Sequence, residues 1–151
     1  MSESTHDCER TMAAAMFNRT WELLDAPDRT AEDDRALLAS AYASWVHWRN
    51  VGEAKNHSVS DWQVSRVWAV LGDGARAADH GREALRIAEE HGLGPFYVAY
   101  GYEALARAAA IVGDVPVRDQ HLAAAEALLE DIADGESAEL VRIDLEDIRA
   151  G

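Results

Sequence analysis

Apolar residues recur along the chain at intervals of three and four, the spacing of one helix face, and glycine and proline cut the sequence into pieces of helical length. The piece about Thr5–Asp25 places Ala13, Phe17, Trp21 and Leu24 on one face and ends near Ala26-Pro27. Thr30, ahead of Ala31, Glu32 and Asp33, reads as an N-cap with acids in the first turn, where their charge suits the helix dipole. The helix it opens has an apolar face of Leu38, Ala41, Trp45 and Trp48 and closes at Gly52. A third helix starts within Glu53–Ser60, where Ser60 and Gln63 have capping-box spacing, and buries Val64, Val67, Trp68 and Leu71. After the turn Gly72-Asp73-Gly74, a fourth helix carries Ala77, Ala78, Gly81, Ala84, Leu85 and Ala88, a small-residue face that allows close packing. Pro95 opens a fifth helix running to Val112, Pro116 a sixth to about Ala133, and Glu136–Arg149 forms a seventh. No segment alternates as a strand. The pattern predicts a single all-α domain over residues 1–151, with about seven helices packed as successive antiparallel hairpins.

The chain also repeats itself. Val67-Trp68-Ala69-Val70-Leu71-Gly72-Asp73 recurs in character, 41 residues on, as Ala108-Ala109-Ala110-Ile111-Val112-Gly113-Asp114, and an alanine-rich helix follows each Gly-Asp step. In Ser58–Ala88, the residues Trp68, Gly72, Asp73, Ala77, Gly81 and Ala84 fall on alternating large and small positions that resemble the tetratricopeptide repeat. The period of 41 exceeds the usual ~34 of that repeat, which implies a variant with longer helices, and Arg118 stands where the family usually has alanine. The resemblance implies a right-handed array of stacked hairpins. The phrases Phe17-Asn18-Arg19-Thr20-Trp21-Glu22-Leu23-Leu24-Asp25, His47-Trp48 and Trp62-Gln63-Val64-Ser65-Arg66-Val67 resemble a group of small, uncharacterised bacterial helical proteins, as does Ala99-Tyr100-Gly101-Tyr102-Glu103-Ala104. No activity comes with that resemblance.

Composition narrows the function. With 28 acidic against 14 basic residues the net charge is −14, and Lys55 is the only lysine, so a general nucleic-acid binder or a peripheral binder of anionic lipid is disfavoured. The acidity is uneven. Glu126–Asp147 holds nine acids against Arg142 alone, which reads as a solvated flank, whereas Trp45–Leu71 sets Arg49, Lys55 and Arg66 against Glu53 and Asp61. Cys8 is alone and can form no internal disulfide, and neither a signal peptide nor a membrane-spanning run is evident, so a cytoplasmic protein is expected.

In tetratricopeptide-like stacks the first helix of each pair lines a groove. Carried over, that resemblance selects Val59, Trp62, Arg66 and Ala69, then Tyr100, Glu103, Arg107 and Ala110. Arg66 and Arg107 occupy equivalent positions 41 apart, near Trp62 and Tyr100, and arginine grips a carboxylate or phosphate through two parallel hydrogen bonds. Two readings stand. Either these side chains hold an anionic group of a protein segment or small ligand, or Glu103 pairs with Arg107 at i,i+4, or with Arg66 across helices, while the aromatics pack. His47, between Trp45 and Trp48, is the most enzyme-like feature, with Asp61 or Glu53 as a candidate orienting acid. It supports an alternative: a small enzyme or small-molecule binder with an interhelical pocket near His47 and Trp62. The six histidines include no i,i+4 pair, and the glycine turns read as helix punctuation, so neither a metal nor a cofactor is expected. A binding module with a helical groove is the leading expectation, with self-association as a homodimer a further possibility.

Overall fold

Side-chain caps decide where the helices start. Thr30 Oγ1 accepts the Asp33 N–H at 3.1 Å while the Asp33 carboxylate accepts the Thr30 N–H at 2.9 Å, the reciprocal box that opens the second helix. Asp73 and Asp114, 41 residues apart, accept the N–H of Arg76 and Val117, and the glycine before each adopts the left-handed conformation that ends the preceding helix. The cap bond from the Arg76 backbone holds the Asp73 carboxyl below its ordinary value.

In this computed structural model, which describes residues 1–151, the elements are α1 (Glu3–Asp25), α2 (Ala31–Val51), α3 (Ala54–Val70), α4 (Gly74–Glu90), α5 (Pro95–Val112), α6 (Val115–Glu126) and α7 (Gly135–Ala150), with a 3-10 turn at Leu129–Asp131. There is no strand, and no helix is long and apolar enough to cross a membrane. The starts of α3 and α5, and those of α4 and α6, lie 41 residues apart, so the period seen in the sequence is a period of structure.

Cross-helix bonds give the directions. Ser58 Oγ donates to Ala84 O and Ser65 Oγ to Ala77 O, at 2.9 and 2.6 Å; one number rises as the other falls, so α3 and α4 are antiparallel. Ser44 Oγ to Ala13 O at 2.9 Å pins α2 against α1 in the same way. These small serines hide their hydroxyls on neighbouring carbonyls and let the backbones approach. The odd-numbered helices instead run parallel: Trp62 meets Glu103, and Tyr100 meets Asp144, at nearly constant offset.

Apolar burial falls into two main clusters. Leu23, Leu37, Ala41, Val64 and Val67 form one between α1, α2 and α3; Leu122, Ile132, Val141, Leu145 and Ile148 close the other around α5, α6 and α7. Each fully buried leucine contributes about 1.5–3 kcal/mol.

Three local expectations are corrected. α3 starts at Ala54, so Ser60 and Gln63 make no capping box; Ser60 bonds to His57 O, and Gln63 Nε2 donates to Phe17 O on α1. α6 stops at Glu126 rather than near Ala133, because Glu126, Glu130 and Asp131 oppose the dipole of a longer helix and the turn drops Ile132 into the core. On α2, Leu37, Ser40, Ala41, Ser44 and Val51 are the buried positions, while Trp45 and Trp48 are half-buried. Small side chains take the tight contact with α1 and the indoles take the looser space towards α3.

The α4–α5 crossing depends on glycine for room. A Cβ at Gly101 would lie 2.7 Å from Leu85 Cβ and 2.8 Å from Leu85 Cα, whereas at Gly135, the first residue of α7, it would meet nothing. Gly101→Ala is expected to destabilise by about 1–3 kcal/mol despite alanine's better helix propensity, and Gly135→Ala to be neutral or stabilising. Urea unfolding of the two variants measures the difference.

Candidate functional site

Because α1, α3, α5 and α7 lie side by side in parallel, residues 41 apart fall into rows. Trp21, Trp62, Glu103 and Asp144 make one row across all four helices, and Arg66 and Arg107 sit one turn further along α3 and α5. The Trp21 and Trp62 rings are 5.6 Å apart, and those of Trp62 and Tyr100 are 5.0 Å apart in an edge-to-face arrangement. Trp62 Nε1 donates to Glu103 Oε2 at 2.7 Å. The sequence-selected residues Trp62, Arg66, Tyr100, Glu103 and Arg107 therefore converge on one network.

Its centre is Glu103, fully buried. Arg107 Nε donates to Oε1 at 2.8 Å with Nη2 2.7 Å away, and Arg66 Nη1 stands 3.8 Å from the same oxygen. Asp144 and Asp147 on α7 complete the arrangement: Asp144 lies 3.7 Å from Arg66, Asp147 3.6 Å from Arg107, and Tyr100 Oη donates to Asp144 at 2.9 Å. Burial first, then the Asp144 charge, pushes the Tyr100 phenol far up, which keeps it a hydrogen-bond donor. Both arginine forks thus face the chain's own carboxylates. Of the nine acids between Glu126 and Asp147, Asp144 is largely covered against Arg66, and Asp147, still exposed, reaches Arg107, so the segment is not a solvated flank throughout.

A second buried carboxylate, Asp61 on α3, was visible in the sequence only as a possible partner of His47. It is 1% exposed and receives Trp45 Nε1 at 3.1 Å, the Arg49 guanidinium, and His80 Nδ1 at 2.8 Å. His80 Nε2 meets Tyr42 Oη at 2.9 Å, and Tyr42 Oη accepts Trp68 Nε1 at 2.9 Å. With a neutral His80 that donates from Nδ1, the Tyr42 hydroxyl donates to Nε2 and every donor in the chain has one acceptor. The sequence signal for both centres is Trp-x-x-x-Arg: Trp45 with Arg49 on α2, Trp62 with Arg66 on α3. Each pair presents an indole N–H and a guanidinium, one turn apart, to a buried acid on another helix.

His47 lies elsewhere. Its Nδ1 is bonded to the Glu9 carboxylate between α1 and α2, and that bond, followed by one from Asn50, holds the Glu9 carboxyl below its ordinary value. His47 lines none of the molecule's cavities and is not brought together with Trp62 or Asp61.

Beside the Glu103 network two hollows adjoin, sharing Val59 and Tyr97 as their common wall. The inner one, about 190 Å³, has Trp62, Phe96 and Tyr100 for walls and Ser58, Ala84 and Gly101 at its base. The outer one, about 200 Å³, is bounded by Phe17, Trp48, Lys55 and Asn56. Three polar groups of the inner walls are engaged elsewhere, Trp62 Nε1 by Glu103, Tyr100 Oη by Asp144 and Ser58 Oγ by Ala84 O, while the Tyr97 hydroxyl, on the wall shared with the outer hollow, has no partner within the chain. The rest of the lining is mostly aromatic and aliphatic. Val59, Trp62 and Tyr100 were groove positions by the repeat resemblance; Phe17, Trp48, Lys55, Phe96 and Tyr97 were not expected at a site, because the hollow forms only where helices distant in sequence cross.

Removing a partner from a buried ion network leaves uncompensated charge, so Glu103→Ala is expected to destabilise by about 3–5 kcal/mol. Trp62→Phe, which deletes one charge-assisted bond and keeps the ring contacts, is expected to cost about 1.5–3 kcal/mol. Chemical denaturation of both variants checks the order; equal and negligible losses would contradict it. Comparisons with protein-family models, with curated proteins and with solved structures find no match for this chain.

Proposed function

We propose that the chain is a non-enzymatic binding module, a tetratricopeptide-like right-handed stack whose receptor site is the pair of adjoining hollows between Phe17, Trp48, Val59, Trp62, Tyr97 and Tyr100. The observation that carries this reading is an open apolar hollow of about 190 Å³ two of whose aromatic walls, Trp62 and Tyr100, are already tied down by hydrogen bonds to other groups. Such a site is preorganised: a ligand entering it orders few side chains, so little of the contact energy is lost to entropy. Two aromatic hollows side by side suit a ligand with an apolar group and a polar end, whether part of a protein segment or a small molecule. The 41-residue period of helix starts and the parallel row of odd-numbered helices support the repeat-type stacking.

On this reading Arg66 and Arg107 take the second of the two roles the sequence left open, pairing with Glu103. Their carboxylate partners are internal, and they serve the site by fixing Trp62 and Tyr100 through Glu103 and Asp144. The enzyme alternative has no geometric support at His47, which is tied to Glu9 and faces no cavity.

An NMR titration with a set of small aromatic and aliphatic fragments tests the proposal. Amide shifts centred on Ser58, Val59 and Tyr97 are expected, and Val59→Trp, which fills the shared wall of the two hollows, is expected to abolish them while leaving helicity intact. Binding elsewhere, or binding that survives Val59→Trp, would overturn the site assignment.

A further inference from the structure

In a chain of net charge −14, the basic residues are nearly all spoken for: every arginine except Arg10 lies within 4.0 Å of a carboxylate. The two basic side chains left without an ion pair are Arg10, which lies over Trp48, and Lys55, which lines the hollow that Trp48 also bounds. The Arg10 guanidinium lies 5.7 Å from the centre of the Trp48 ring, with one N–H on Val51 O at 3.2 Å; Lys55 lines the outer hollow beside Trp48 and makes no hydrogen bond within the chain. Asn56 accepts the Glu53 N–H through its side-chain oxygen at 3.0 Å, which leaves its NH₂ group without a partner in the same hollow.

We infer that the site takes a small amphipathic monocarboxylate, with its ring or short alkyl chain between Trp62, Phe96 and Tyr100 and its carboxylate beside Lys55 and the Asn56 amide. The inference rests on the binding-module reading and adds the ligand's chemistry. The inner hollow suits one ring, since an apolar cavity of roughly 150 Å³ is enough to hold benzene. Trp62, Tyr100 and Ser58 have their polar atoms engaged, and the one unpartnered hydroxyl, that of Tyr97, is on the wall shared with the outer hollow, so the inner hollow offers no cation to a carboxylate and disfavours it at that end. The outer hollow supplies an ammonium and an amide donor, both able to meet a carboxylate oxygen. A single charge is favoured over a phosphate or a dicarboxylate, because the chain as a whole carries a net charge of −14 and only one unpaired cation lines the hollow itself.

Isothermal titration of the full chain with 4-phenylbutanoate and with its primary amide tests this, because the two probes differ only at the polar end. The acid is expected to bind roughly five- to tenfold more tightly than the amide, with the preference shrinking as salt is raised. Lys55→Met keeps the aliphatic stem at an exposed position and is expected to remove the acid's preference over the amide. Equal affinities in the wild type, or a preference that survives Lys55→Met, would overturn the monocarboxylate inference and leave the apolar site standing. Failure of both probes to bind the wild type would overturn the binding-site reading itself.

Discussion

A carboxylate buried among helices costs several kcal/mol of desolvation and persists only where donors are brought to it in the right geometry. Two such groups, Asp61 and Glu103, set the terms for this structure. Each collects an indole N–H and a guanidinium from one Trp-x-x-x-Arg helix face: Trp45 and Arg49 of α2 on Asp61, Trp62 and Arg66 of α3 on Glu103. Apolar alanine-rich faces tolerate sliding by a turn, whereas these bonds do not. A one-turn slip of α3 against α5 would carry Trp62 Nε1 away from Glu103 and strand a negative charge in the core. The acids therefore act as register pins, and what they pin includes the aromatic walls of the hollow.

The distribution of charge follows from the same arrangement. Arginine is spent on internal acids and on exposed i,i+3 and i,i+4 pairs such as Arg86 with Glu83 and Glu90, each worth little to stability alone. α7 contributes twice, burying Val141, Leu145 and Ile148 and presenting Asp144 and Asp147 to Arg66 and Arg107. The outcome is a protein whose overall charge repels polyanions yet leaves a local positive edge where Lys55 and Arg10 meet Trp48.

Much of the fold was legible in the sequence. Glycine and proline marked the helix ends, and the Gly72-Asp73 and Gly113-Asp114 steps announced the period at which α3–α4 and α5–α6 recur. Trp62, Arg66, Tyr100, Glu103 and Arg107 were selected by the resemblance to the tetratricopeptide repeat, together with the 41-residue period. Other features were hidden. Asp61 looks like a solvated acid until α2 and α4 close over it, and His80, Tyr42 and Trp68 lie on three different helices with no shared motif. The hollow was illegible for a related reason: Phe17 and Tyr97 are far apart in sequence, and a cavity is a property of helix crossings rather than of any one helix. His47 drew notice by its neighbours and proved to be a partner of Glu9.

The central claim is that the register pins hold open a preformed apolar site. Diffraction from crystals pressurised with xenon tests it most directly, since xenon enters apolar cavities that exist before any ligand arrives. The account predicts a xenon atom between Val59, Trp62, Phe96 and Tyr100, with Trp62 Nε1 still on Glu103. A hollow without xenon, closed by Tyr97 or Trp62 turned into it, would contradict it.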